Sequence, residues 1–180
     1  DAGAASFKGD THVQTHGGTM DYIVGGNMRD YAKPTFEGNT YVSVYQGTTV
    51  NKSVIGGSTI FYGQPVVLNG STHVFVYTVL NDADDKKGFV VGGNFHESVT
   101  GAVSGITLSV TGSTNVTVDL SEYKMGGDAA TEFTKNIVGG HYVVYGGCTS
   151  SVGGKSNVSI NGLQDITFSG DIVGGTWMES

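Results

Sequence analysis

The stretch "NIVGGH", residues 136–141, is not unique in this chain. It recurs as "YIVGGN" (22–27), "SVIGGS" (53–58), "FVVGGN" (89–94) and "DIVGGT" (171–176). A short β-branched run closed by a glycine pair reads as a strand that ends at a corner. Five copies within 180 residues call for a repeat architecture, not for five unrelated turns.

A second unit alternates with the first. It reads "GDTHVQT" from Gly9, "GNTYVSV" from Gly38, "GSTHVFV" from Gly70, "GSTNVTV" from Gly112 and "GKSNVSI" from Gly154, at spacings of 29, 32, 42 and 42 residues. Strands are kept and loops vary. Within this unit Val13/Thr15, Val42/Val44, Val74/Val76, Val116/Val118 and Val158/Ile160 share one parity, so they point to one side of the strand. One coil cannot bury that stripe, whereas stacked coils bury it against the next copy. Parallel stacking places equivalent residues about 4.8 Å apart and turns sequence positions into columns. Thr11, Thr40, Thr72, Thr114 and Ser156 form one such column; Asn27, Ser58, Asn94, His141 and Thr176 form another. Stacked hydroxyls and amides can satisfy one another's donors and acceptors. The glycine pairs are then corner devices, expected to supply positive φ and close backbone approach. A weaker "KMGGD" at Gly126 predicts an extra turn or inserted hairpin between 126 and 147. The fold expected is all-β, a single domain over 1–180: a parallel β-helix (β-solenoid) of about five coils with irregular loops. An antiparallel sandwich or barrel is the alternative.

Composition agrees. There are 30 glycines, two prolines and only 14% charged residues, without a collagen period. The formal charge of −7 sets the chain against nucleic acid, whose phosphates it would repel. No apolar run reaches membrane-spanning length, so no membrane insertion is expected of this segment. The chain opens at "DAGAAS" without a charged-then-apolar leader, as a mature secreted or surface-exposed form would after loss of a signal peptide. Cys148 is alone, which leaves no disulfide framework and no thiol metal site.

The G-x-T-x-V and V-G-G units resemble the glycine-rich β-solenoid passengers of secreted and autotransporter-type bacterial proteins. The resemblance covers nearly the whole chain, and its motifs specify architecture rather than activity. Length and style are also similar to those of a small aspartic-type, mucin-degrading protease of a mucus-dwelling gut bacterium. That similarity implies mucin or another glycoprotein or glycan as partner, and an acid endopeptidase as one possible activity. "IVGG" also resembles the activated N-terminus of trypsin-like proteases. That end is needed once, and the Gly-Asp-Ser-Gly nucleophile segment that goes with it is absent.

Aspartic-type chemistry needs two carboxylates close enough to share a proton. Neither Asp-Thr-Gly nor Asp-Ser-Gly occurs, so a different pair would be required; Asp10 and Asp21 are the candidates, with Asp30 also in the first coil. The plainer expectation is that Asp10 is a turn residue hydrogen-bonding its own backbone and that Asp21 pairs with Lys52 one coil away. A second candidate site lies on the outward parity of the G-x-T strands. His12, Tyr41 and His73 fall in one column, His16, Tyr45 and Tyr77 in the next, with Phe75 nearby. Such columns stabilise sheets; a flat aromatic strip would also suit stacked pyranose rings. No metal or cofactor is expected. His12 and His16 lie roughly 13 Å apart along a strand, and "NDADDKKG" (81–88) has lysines where a calcium loop needs oxygen ligands. A glycan-binding module, a carboxylate-pair protease and a structural spacer therefore all remain open at this level.

Overall fold

The computed structural model describes residues 6–28, 35–60, 65–81, 88–97, 106–126, 129–144, 148–162 and 165–179. Asp30 and residues 82–87 of the acidic loop lie outside them. Among the described residues there is no helix, and all strand pairings are parallel. The sandwich alternative is thereby excluded.

Five coils stack, each contributing to four faces. The first face is built by Ser6–Lys8, Thr35–Glu37, Val66–Asn69, Thr107–Val110 and Thr149–Val152. The second carries the G-x-T units: Thr11–Thr15, Thr40–Val44, Thr72–Val76, Thr114–Asp119 and Ser156–Asn161. The third carries the strands that lead into the glycine pairs: Gly18–Val24, Thr48–Ile55, Phe89–Val91, Asn136–Val138 and Ile172–Val173. After the corner the fourth follows, with Thr59–Ile60, Phe95–His96, Tyr142–Val144 and Trp177–Glu179. The first coil reaches this last face through an isolated bridge from Met28 to Thr59.

The register is the one that the sequence columns predict. Thr11 pairs with Thr40, Thr40 with Thr72, Thr72 with Thr114, and Thr114 with Ser156. Val42, Val44, Val74, Val76, Val116 and Val118 are all at most 1% exposed and meet Val54, Val90 and Ile137 of the third face in one core. Each fully buried valine contributes about 1.5–3 kcal/mol. A second core lies on the other side of the third face, where Ile55, Val91 and Val138 pack against Phe95 and Tyr142. The runs Phe89–Val91 and Asn136–Val138 are buried at every position for that reason.

The glycine pairs act by close approach alone. A Cβ on Gly25, Gly56, Gly92 or Gly139 would stand 2.3–2.4 Å from the carbonyl oxygen of the first glycine one coil on. Positive φ occurs instead at Gly9, Gly17, Gly18, Gly38 and Gly47, in the turns flanking the second face. The expected positive φ at the pairs is thus corrected: the corner is tight because backbones touch, with ordinary backbone angles. The threonine column behaves differently from expectation too. Thr11, Thr40 and Thr72 donate across the core to the carbonyls of Gly25, Gly56 and Gly92 at 2.5–2.6 Å, and only Thr114 bonds its own column neighbour, Ser156, at 2.9 Å.

Among the described residues between 126 and 147 there is no antiparallel hairpin. Residues 136–144 are the regular third- and fourth-face strands of coil four, and Glu132–Phe133 adds a short parallel pairing with Thr167–Phe168. The departure from the four-face pattern lies in the described residues 120–126 and 129–133, so the expected extra turn falls partly within the predicted interval.

The contrast among glycines gives a direct check. Gly92→Ala should destabilise the fold by about 3 kcal/mol or more, since the new methyl meets backbone that cannot yield without breaking the stack. Gly126→Ala, with nothing within 4 Å, should change it by less than about 0.5 kcal/mol. Urea denaturation of both variants measures this, and equal costs would contradict the corner geometry.

Candidate functional site

The outer side of the second face carries the aromatic columns. His12, Tyr41 and His73 have ring centroids 4.6 and 4.8 Å apart, with planes within 6° of parallel. His16, Tyr45 and Tyr77 follow at 4.3 and 5.0 Å. Nearly parallel rings at such separations lie face over face. Phe75 joins the columns sideways, 6.4 Å from His73 and 6.3 Å from Tyr77 along one strand. The structure thus brings together all five predicted binding residues, His12, Tyr41, His73, Tyr45 and Tyr77. It changes how they can bind. Coil spacing sets the rings face to face, so solvent meets ring edges, phenol hydroxyls and imidazole nitrogens rather than a flat strip.

Further along, the same columns become polar. Asn157 donates to the Asn115 side chain at 2.8 Å, and Asp119 takes the place after Tyr77. Burial pushes the Tyr77 phenol above its ordinary range, and the Tyr45 phenol and the Asp119 carboxylate add to this. Tyr77 therefore keeps its proton and can both donate and accept. Burial also lowers His73, against a smaller opposite pull from Asp10, so its imidazole favours the neutral form.

Next to the tyrosines is a cleft that sequence reasoning missed. Its volume is about 450 Å³, and its described walls include Gln46, Thr48, Thr49, Thr78, Asn81 and Tyr123. The corners that follow Tyr45 and Tyr77 form one side. The segment after Asp119 folds over as the other, clamped where the Gln46 amide donates to the Lys124 carbonyl at 2.9 Å and accepts from the Lys124 N–H at 3.2 Å. No charged side chain is among the described lining. The only signal in the sequence was the rise in unit spacing from 32 to 42 residues, which marks extra chain without saying where it packs.

The two candidate carboxylates are not brought together. Asp10 sits in the turn before Thr11–Thr15, where Oδ1 accepts the Asn39 N–H at 2.7 Å. Asp21 points outward from the third face, across the valine core from the second, where Asn51 donates to it at 2.9 Å and the Lys52 ammonium stands at 3.8 Å. The plainer expectation holds for Asp21, which pairs with Lys52; Asp10 is a turn residue as expected, but its carboxylate accepts from the backbone one coil on rather than from its own. Cys148 is half-buried and its thiol is pushed up by burial, which keeps it protonated.

Inside, acid would meet two buried histidines. The fully buried His141 accepts the Asn94 N–H on Nδ1 at 2.9 Å and donates from Nε2 to the Ser151 carbonyl at 2.9 Å, so it is the neutral Nε2–H form. His96 donates from Nδ1 to the Val144 carbonyl. Burial lowers both below the ordinary histidine value. No protein family, curated protein or solved structure matches this chain.

A histidine lowered in the folded state stabilises in full above its unfolded value of about 6.5 and loses that contribution as pH falls from there towards the lower folded value. Stability should therefore drop between neutral pH and acid. Asn94 in the same column reaches Ser109, the register partner of Ser151, through its amide. His141→Asn should accordingly keep the fold and flatten the acid loss, whereas His141→Ala should cost about 1–3 kcal/mol by orphaning the Asn94 N–H. Urea midpoints across pH decide this; an unchanged acid slope in His141→Asn would contradict it.

Proposed function

We propose that this chain is a secreted or surface-exposed binding module for mucin or related glycoprotein glycans, with the second face and its adjoining cleft as the site. One observation carries this: a cleft whose described lining mixes amides and hydroxyls with apolar side chains, and holds no charge, adjoins the corners that follow the stacked Tyr45 and Tyr77. Neutral sugars present dense hydroxyls and small apolar faces, which such a surface can meet with hydrogen bonds and ring contacts. The cleft is of the size that holds a small ligand or a short stretch of a chain. Binding runs along ring edges and tips, because the ring faces are taken up by one another.

The carboxylate-pair endopeptidase has less in its favour. Asp10 and Asp21 hold separate partners on separate parts of the coil. The buried histidines also withdraw stability in the acid range where a shared proton would serve.

Replacing Tyr45 and Tyr77 together by alanine should lower affinity for a soluble mucin-type glycoprotein at least tenfold, or about 1.4 kcal/mol. The stacked pairs lost should cost about 0.5–1.5 kcal/mol each in stability, leaving a folded protein. Titration calorimetry reads the first and thermal unfolding the second. Undiminished binding by the folded variant, or no binding by the parent, would remove the proposal. Incubation of mucin with the parent should release no peptide at any pH, and cleavage abolished in Asp10→Asn or Asp21→Asn would favour the protease.

A further inference from the structure

The two ends of the stack are unlike the middle. Of the five large apolar side chains left exposed among the described residues, Phe7 and Met28 lie in coil one and Ile172 and Met178 in coil five. The inward valines are fully buried in the middle coils but only partly covered at Val13, Val158 and Ile160. The backbone edges of coils one and five each lack a neighbour on one side among the described residues. Unpaired, partly apolar edges are templates for pairing with another chain.

The ends also complement each other. Around the glycine corner each N–H is accepted by the side chain one coil on: Asn27 N–H by Ser58, Ser58 N–H by Asn94, Asn94 N–H by His141, His141 N–H by Thr176. The series leaves the Thr176 N–H at one end and the Asn27 side chain, which could accept it, at the other. In the turn before the second face the sense is reversed: Asn39 N–H is accepted by Asp10, Ser71 N–H by Asn39, Ser113 N–H by Ser71, Lys155 N–H by Ser113. The column ends in Asp10 below and Lys155 above, opposite charges at the two ends of the described stack; a lysine cannot accept an N–H, so across such a junction this column would continue as an ion pair. The glycine column is open at the top as well, since a Cβ on Gly174 meets nothing within 4 Å.

We propose that this chain assembles head to tail, the first coil of one copy stacking as the sixth rung on the fifth coil of another. Ser156 then meets Thr11 of the next copy, Val158 meets Val13, Thr176 N–H meets Asn27, and Lys155 meets Asp10. The contact is heterologous and does not close, so it grows rods, each copy adding five rungs or about 24 Å. It is independent of what the second face binds.

The test is light scattering and electron microscopy of the full chain over a concentration series. The parent should show an apparent mass that rises with concentration, and rods of one width. Gly174→Ala, whose methyl is free in a single copy but would strike the incoming Gly25 carbonyl, should stay monomeric with an unchanged melting temperature. Lys155→Asp alone and Asp10→Lys alone should each weaken assembly about tenfold, and mixing the two should restore it. A parent that is monomeric up to about 1 mM, or a Gly174→Ala variant that assembles like the parent, overturns the proposal. Assembly of both variants undiminished would place the contact on another face and overturn it equally.

Discussion

Everything in this structure follows from parallel strands held in register one coil above another. At that spacing a residue's nearest neighbour is its own counterpart in the repeat, and the chain must tolerate each residue type stacked on its like. Valine on valine buries well, and threonine can turn its hydroxyl across the core to a glycine carbonyl. Glycine pairs stand where the requirement is strictest: carbonyls of successive corners lie where any Cβ would be.

The same constraint gives the hydrogen-bonding columns their direction. At the glycine corner each coil's N–H is accepted by the side chain above, and at the turn before the second face by the side chain below. Asparagine, serine and histidine interchange in these columns because each offers an acceptor at similar reach. That interchange has a cost at His141, where the acceptor is a titratable ring and the column holds only while the ring stays neutral. A scaffold built in this way gives up part of its stability as pH falls below the ordinary histidine range.

The second face and its core were legible because their signal is a column identity, repeated five times and independent of loop length. The valines, the threonine register and the aromatic columns all came from aligning G-x-T. What was not legible involves contacts between positions that do not repeat together. The second core pairs Phe89 with Tyr142 and Trp177, residues on opposite sides of the glycine corner in different coils, and no periodicity announces that the corner folds one face onto the other. Ring orientation was likewise hidden: a column of tyrosines is the same string whether rings lie flat or face to face, and only the coil spacing decides. The cleft depends on where the described residues 120–126 come to rest, which the Gln46 amide fixes from two coils below.

Function in such a fold must be sought where the columns break. Inward positions are dictated by stacking, so their identities say only that the coil closes. Outward positions are free, and a change of type along an outward column is information that stacking does not require. Here the aromatic columns run through coils one to three and become asparagine and aspartate from coil four. At the boundary the chain also leaves its path and folds back to wall a cleft beside Tyr45 and Tyr77. Two independent departures from repetition meet at one place on the surface. A column that served only to stiffen the sheet would have no reason to end where a cleft begins, and that coincidence is what favours the second face, over either isolated carboxylate, as the proposed site.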